Sequence, residues 1–122
     1  MTYVGIVLIS HSPKIVEGVK ELIRQVIHDV PIELAGGTEE NEIGTSMDKI
    51  ADAIKAADRG KGVILFYDIG SAKMNAEMAI EITEMKAVLI EAPLVEGSYV
   101  AAVESGMGKS LEEVINAVEK AF

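Results

Sequence analysis

The chain predicts an α/β fold, a doubly wound open parallel sheet with helices on both faces. Three observations carry that prediction. Short Val/Ile-rich runs alternate with longer segments whose apolar residues recur every three or four positions. Two of the short runs, 3–9 and 62–67, are continuously apolar, the pattern of strands covered on both faces. Aromatic residues are scarce, at 4% with no Trp. The core is therefore built from Val, Ile, Leu, Met and Ala, which suits helices layered on a parallel sheet.

Taken in order, the first strand spans 3–9 and leads into His11. Ser12 and Pro13 then open a helix, because serine is a good N-cap and proline is best tolerated at the first helical position. Ile15, Val16, Val19, Leu22, Ile23, Val26 and Ile27 keep helical spacing over 13–28, which places His28 at the helix C-terminus. Pro31 closes that segment and 32–35 form a short second strand. The acidic stretch 36–45, with Glu39, Glu40 and Glu42, exceeds the roughly two to six residues usual for such connections. It reads most simply as a solvated acidic loop, and its length leaves room for a lid or docking role.

Met47, Ile50, Ala51 and Ile54 mark a second helix that stops before Gly60. The third strand, 62–67, ends at Asp68, ahead of Ile69, Gly70 and Ser71. A third helix follows, with Met74, Met78, Ile82 and Met85 expected as its core stripe. Residues 86–90 form a fourth strand, closed by Glu91, Ala92 and Pro93. The fourth helix, over 94–106, turns Leu94, Val95, Tyr99, Ala102 and Val103 inward. The last helix opens at a capping box, Ser110 with Glu113, and buries Leu111, Val114, Ile115 and Val118. Gly106, Gly108, Lys109 and Ser110 lack the spacing and preceding strand of a phosphate loop. With no repeat or linker, 1–122 reads as a single domain. Right-handed crossovers then give the strand order 2-1-3-4, with the first strand central.

Composition narrows the function. A net charge of −9, from 20 acidic and 11 basic residues, opposes sequence-independent nucleic-acid binding, which needs a basic surface. The absence of cysteine removes disulfides, thiolate metal sites and cysteine nucleophiles. The two histidines are too far apart for metal-ligand spacing, so neither a metal nor a cofactor is expected. No apolar stretch approaches the ~20 residues that span a bilayer. The N-terminus enters a strand at once, without a basic leader or cleavage site. A cytoplasmic protein that does not associate with membrane is the expectation.

The candidate chemistry lies where strand order reverses, between the first and third strands, since ligands in such sheets sit in that crevice. His11 and Asp68 each follow a strand there. Neighbouring strands are about 4.8 Å apart, close enough for an imidazole and a carboxylate to meet. Imidazole titrates near 6.5 and is a competent nucleophile at neutral pH. A carboxylate accepting one ring N–H fixes the tautomer and frees the other nitrogen. The helix beginning at Ser12 offers dipole and backbone donors to phosphoryl oxygens, from Lys14 and Ile15 because Pro13 has no N–H. The Ser71 hydroxyl adds a donor, and the turn at Gly36 and Gly37, leading to Thr38, lets backbone approach from the other side. His11 and Asp68 are thus the candidate catalytic pair. Ser12, Lys14, Gly37, Thr38 and Ser71 are the candidate phosphoryl-binding residues. The constellation describes phosphoryl transfer through a phosphohistidine.

With these residues in view, the chain resembles the mannose-type IIA phosphocarrier domains of the bacterial phosphoenolpyruvate-dependent phosphotransferase system. Its nearer likeness is to the branch serving phosphoenolpyruvate-dependent dihydroxyacetone kinases. The similarity runs through Val7 to Ser12 with Glu17 and Gly18, Ala35 to Thr38, and Ile43 to Ser46. It continues through Asp68 to Ser71 with Asn75, and Glu91 to Pro93 followed by Glu96 and Gly97. The resemblance implies that His11 is phosphorylated, that Asp68 orients its ring, and that the chain is a cytoplasmic homodimer. It implies a phosphoryl group received from the histidine phosphocarrier protein. That group passes to ADP in the nucleotide subunit of the kinase, whose other subunit binds dihydroxyacetone. The alternatives are a IIA component of a mannose-type sugar transporter and a non-catalytic interaction module. After Asp68 the chain reads Ile69, Gly70, Ser71, Ala72, Lys73, without the Gly-Gly-Ser-Pro stretch expected of the transporter branch. A phosphoaspartyl receiver needs an acidic pair after the first strand, where this chain has Ser10, His11 and Ser12.

Overall fold

The computed structural model describes residues 2–122. Four strands, β1 (Gly5–Ser10), β2 (Ile32–Gly36), β3 (Val63–Tyr67) and β4 (Ala87–Leu89), form one sheet in the order β2-β1-β3-β4. Every pairing is parallel, as the sequence predicts. Five helices cover it: α1 (Pro13–Arg24), α2 (Met47–Ala57), α3 (Lys73–Thr83), α4 (Leu94–Gly106) and α5 (Leu111–Ala121). A single 3₁₀ turn, Gly70–Ala72, leads into α3.

The sheet alternates side chains between two cores. Ile6 and Leu8 of β1 with Ile64 and Phe66 of β3 meet α1, α4 and α5 on one face. Val7 and Ile9 with Val63 and Leu65 meet α2 and α3 on the other. All six residues of β1 are buried, which is why its sequence shows no polar alternation.

Three helices differ from the expectation. α1 ends at Arg24, so His28 lies beyond it, exposed. The apolar spacing ran on because Ile27 N–H still reaches the Ile23 carbonyl (2.9 Å) and its side chain packs on the core. The Arg24 guanidinium donates to the Ile27 and Val30 carbonyls (3.1 and 2.8 Å), fixing the exit. The core-facing stripe of α1 is only Val16, Val19 and Ile23, while Ile15, Leu22 and Val26 are exposed.

In α3 the expected methionine stripe faces outward: Met74, Met78 and Ile82 are exposed, and only Met85 packs against the core. Ala72, Ala76 and Ala79 are buried instead, because small side chains let the helix lie close to its neighbours. In α4, Leu94 and Ala102 are buried as expected, but Val95 and Tyr99 are exposed and Val103 is half-buried. Gly97, Ser98, Ala101 and Ser105 form the inner face. The serines enter an apolar layer because each hydroxyl finds a carbonyl, Leu94 for Ser98 and Val4 (2.7 Å) for Ser105.

Candidate functional site

β1 and β3 are adjacent, with Ile9 opposite Tyr67. One residue beyond Tyr67 lies Asp68, and two beyond Ile9 lies His11, both at the point where strand order reverses. His11 Nδ1 is 3.1 Å from Asp68 Oδ1, with the side chains 20% and 17% exposed. The pair is thus half-sheltered, yet open on one side.

Asp68 gathers four donors. Its Oδ1 accepts from the His11 ring and from Ile69 N–H (2.7 Å), and Oδ2 from His11 N–H (3.0 Å) and the Ser10 hydroxyl (2.8 Å). Partial burial alone would push this carboxyl up. The bonds from His11 N–H, the Ser10 hydroxyl, the His11 ring and Ile69 N–H outweigh that and hold it below the ordinary carboxylate value. An ionised carboxylate only accepts, so Nδ1 carries a proton, and in the neutral ring Nε2 keeps its lone pair. The Ser71 hydroxyl, 2.8 Å from Nε2, then donates to that lone pair.

The first turn of α1 adds donors. Ser12 is its N-cap in extended conformation, but the Ser12 side chain makes no capping bond. The Lys14 and Ile15 N–H groups therefore emerge uncapped from the helix end. The other predicted phosphoryl-binding residues have their backbone donors engaged. Ser12 N–H donates to Ser10 Oγ (3.0 Å), Gly37 N–H to the Ser10 carbonyl (3.0 Å) and Thr38 N–H to the Glu42 carbonyl (2.9 Å). Gly37 is required by its backbone: φ is +75° and a Cβ would lie 2.7 Å from the Glu42 carbonyl oxygen.

The long acidic loop is tied back to the strand ends and to α2 and α3, with Glu39, Glu40 and Glu42 exposed as a solvated loop would have them. Gly44 N–H donates to the His11 carbonyl (2.9 Å). Lys49 Nζ bonds the Gly36 carbonyl (2.9 Å) and Asn41 Oδ1 (2.7 Å), and Asn75 donates to Thr45 Oγ1 (2.8 Å). The loop is a wall that holds the His11 backbone in place. Exposed apolar side chains lie close in sequence to the site: Ile15 (46% exposed) beside Lys14, Ile69 (57%) beside Asp68, Met74 (71%) three residues after Ser71, and Ile43 (75%) beside Gly44, which bonds the His11 carbonyl.

Sequence reasoning passed over two features. Ser10 is fully buried, and its only sequence signal was a polar residue closing an apolar run. Tyr67, Glu91 and Lys73 form a cluster at the surface, with the OH of the half-buried Tyr67 donating to Glu91 Oε2 (2.8 Å) and Lys73 Nζ 2.8 Å from Glu91 Oε1. The bond to Glu91 raises the Tyr67 hydroxyl pKa. No spacing in the sequence links these three.

An imidazole held between a carboxylate and a hydroxyl thus lies at the switch point of a 2-1-3-4 parallel sheet. The chain belongs to the mannose-type IIA family: the family model described as the fructose IIA component of the phosphotransferase system matches residues 5–115. Its relatives give the particular branch. A Lactococcus lactis protein, the phosphotransferase subunit DhaM of a phosphotransferase-dependent dihydroxyacetone kinase, is 39% identical, with 98% of this chain and 96% of that one covered. A Listeria innocua phosphoryl donor subunit DhaM of a phosphoenolpyruvate-dependent dihydroxyacetone kinase is 44% identical over 90% and 88%. A solved structure of a protein of unknown function, EF1359, superposes with a TM-score of 0.86 at 31% identity, covering 98% of this chain and 95% of that chain.

Proposed function

We propose that this chain is a phosphohistidine carrier that serves a dihydroxyacetone kinase. His11 Nε2 receives a phosphoryl group from the histidine phosphocarrier protein and delivers it to ADP in the kinase's nucleotide subunit. The observation that carries this reading is the imidazole fixed between Asp68 on Nδ1 and Ser71 on Nε2. The relatives named as phosphotransferase or phosphoryl donor subunits of dihydroxyacetone kinases support the branch.

In the receiving step, the Nε2 lone pair attacks phosphorus as the donor's nitrogen leaves with its bonding pair. No proton moves at Nε2, and the Nδ1 proton stays on its bond to Asp68, which offsets the positive character gained by the ring. Ser71 must release Nε2 as phosphorus approaches, and its hydroxyl is then free to donate to a phosphoryl oxygen. The Lys14 and Ile15 N–H groups and the α1 dipole serve the other oxygens. Ser12, Gly37 and Thr38 contribute side-chain and backbone shape at the rim. In the delivering step, a β-phosphate oxygen of ADP attacks and Nε2 leaves with the pair.

The carrier domain spans 1–122 and works in the cytoplasm. Among the described residues no helix is long and apolar enough to cross a membrane. Ile15, Ile43, Ile69 and Met74, exposed and close to the site in sequence, serve as docking contacts for donor and acceptor in turn, together with the exposed Glu39, Glu40 and Glu42. Further exposed apolar residues away from it, among them Leu22, Val26 and Ile82, are available to a homodimer contact, and sedimentation equilibrium reads that state directly.

The test of the branch is discharge. Labelled phosphorylated protein mixed with the ADP-loaded nucleotide subunit should lose its label as ATP forms. Label retained there but released to a mannose-type sugar transporter would place the chain in the transporter branch instead.

A further inference from the structure

We infer that Ser10 is a positioning residue that acts through Asp68 to hold the His11 ring in its nucleophilic tautomer. The inference rests on the carrier reading for its consequence, but its geometry stands apart from it. Ser10 is the last residue of β1 and is fully buried. Its Oγ accepts the Ser12 N–H (3.0 Å) and lies 2.8 Å from Asp68 Oδ2. A hydroxyl has one proton to give. With Ser12 N–H occupying a lone pair and an ionised carboxylate on the other side, that proton is directed at Oδ2.

The consequence follows from how the four bonds divide. His11 N–H and Ile69 N–H are backbone donors set by the strand ends. They place the carboxylate beside the pair, one on each oxygen. Ser10 is the one side-chain donor besides the ring itself, and it grips the oxygen that the ring does not use. Acting with His11 N–H on the same oxygen, this bond restrains rotation of the carboxylate about its Cβ–Cγ bond and so helps aim Oδ1 at Nδ1. The same hydroxyl ties this carboxylate to the start of α1, where the uncapped donors lie. Ser10 therefore couples the group that orients the ring to the helix end that faces the phosphoryl oxygens. Alanine removes only the hydroxyl, and the apolar layers flanking β1 are untouched.

The experiment compares wild type, Ser10→Ala, Asp68→Asn and the double variant by two readouts. The first is the imidazole ¹⁵N spectrum of His11 in the unphosphorylated protein, which reports the tautomer and needs no donor. The second is the rate of phosphoryl acceptance. Ser10→Ala should shift His11 away from the Nδ1–H tautomer. It should slow acceptance by about tenfold to a hundredfold, the range for losing one bond to a charged group, with the half-saturating donor concentration unchanged. In the Asp68→Asn background the same substitution should change the tautomer ratio and the rate less than twofold, because residues acting as a unit are not additive. An unchanged tautomer ratio in Ser10→Ala, or an equal loss in both backgrounds, would overturn the inference. If the wild type accepts no phosphoryl group, the carrier reading fails, while the ¹⁵N comparison still decides the role of Ser10.

Discussion

At the scale of single residues, the proposed chemistry depends on Asp68 keeping the proton of His11 on Nδ1. Asp68→Asn preserves shape but presents an amide whose donor and acceptor ends both fit, so the tautomer is no longer enforced. Phosphoryl acceptance should fall by roughly 10²–10⁴-fold, measured as the initial rate at saturating donor. The same carboxylate makes a prediction about acid. Its native pKa lies below the ordinary value, so the stabilisation is fully present above pH about 4. It is lost as pH falls through the native value, because the unfolded chain binds the proton first. Urea midpoints measured down through that range should fall less steeply in Asp68→Asn than in wild type. The pair itself was legible in the sequence, since both residues end apolar runs and the predicted strand order makes those runs neighbours. Ser10 was not, because a buried serine reveals its role only through the atoms around it.

At the scale of elements, the close approach of α1 to the end of β2 sets the site's wall. A Cβ on Gly36 would lie 2.6 Å from Val16 Cγ2 and 2.7 Å from Pro13 Cα. Gly36→Ala should therefore destabilise the fold by about 1–3 kcal/mol, read by urea denaturation. It should also slow phosphoryl acceptance, because Pro13 begins the helix that carries the donors. α5 offers a contrast far from the site. Ser110 and Glu113 complete their capping box, with Ser110 Oγ accepting Glu113 N–H (3.2 Å) and Glu113 accepting Ser110 N–H (2.9 Å). Ser110→Ala should cost about 1 kcal/mol and leave the acceptance rate unchanged. That cap was visible in the sequence because it is local. The inward faces of α3 and α4 were misread for the opposite reason. Size suggested Met74, Met78, Val95 and Tyr99 for the core, but close packing selected Ala76, Ala79, Gly97 and Ala101. Which face of a helix is inside depends on how near its neighbours come, and pattern alone does not carry that distance.

At the scale of the whole molecule, several large apolar side chains close to the site in sequence stand in solvent. Ile43 is the plainest, at 75% exposed on a loop that side-chain bonds to Lys49 and Asn75 hold still. Ile43→Asp should leave stability within about 0.5 kcal/mol. It should raise the half-saturating concentration of the phosphoryl donor about tenfold, the effect of a truncated contact worth more than ~1 kcal/mol, with the saturated rate preserved. The central claim is that His11 carries the phosphoryl group, and intact-protein mass tests it most directly. Wild type and His11→Ala are each incubated with phosphoenolpyruvate and the general phosphotransferase proteins, then weighed before and after mild acid. Wild type should gain one phosphoryl group, lost in acid and absent from His11→Ala. An unmodified wild type under conditions that charge a known carrier, or equal modification of His11→Ala, would contradict it.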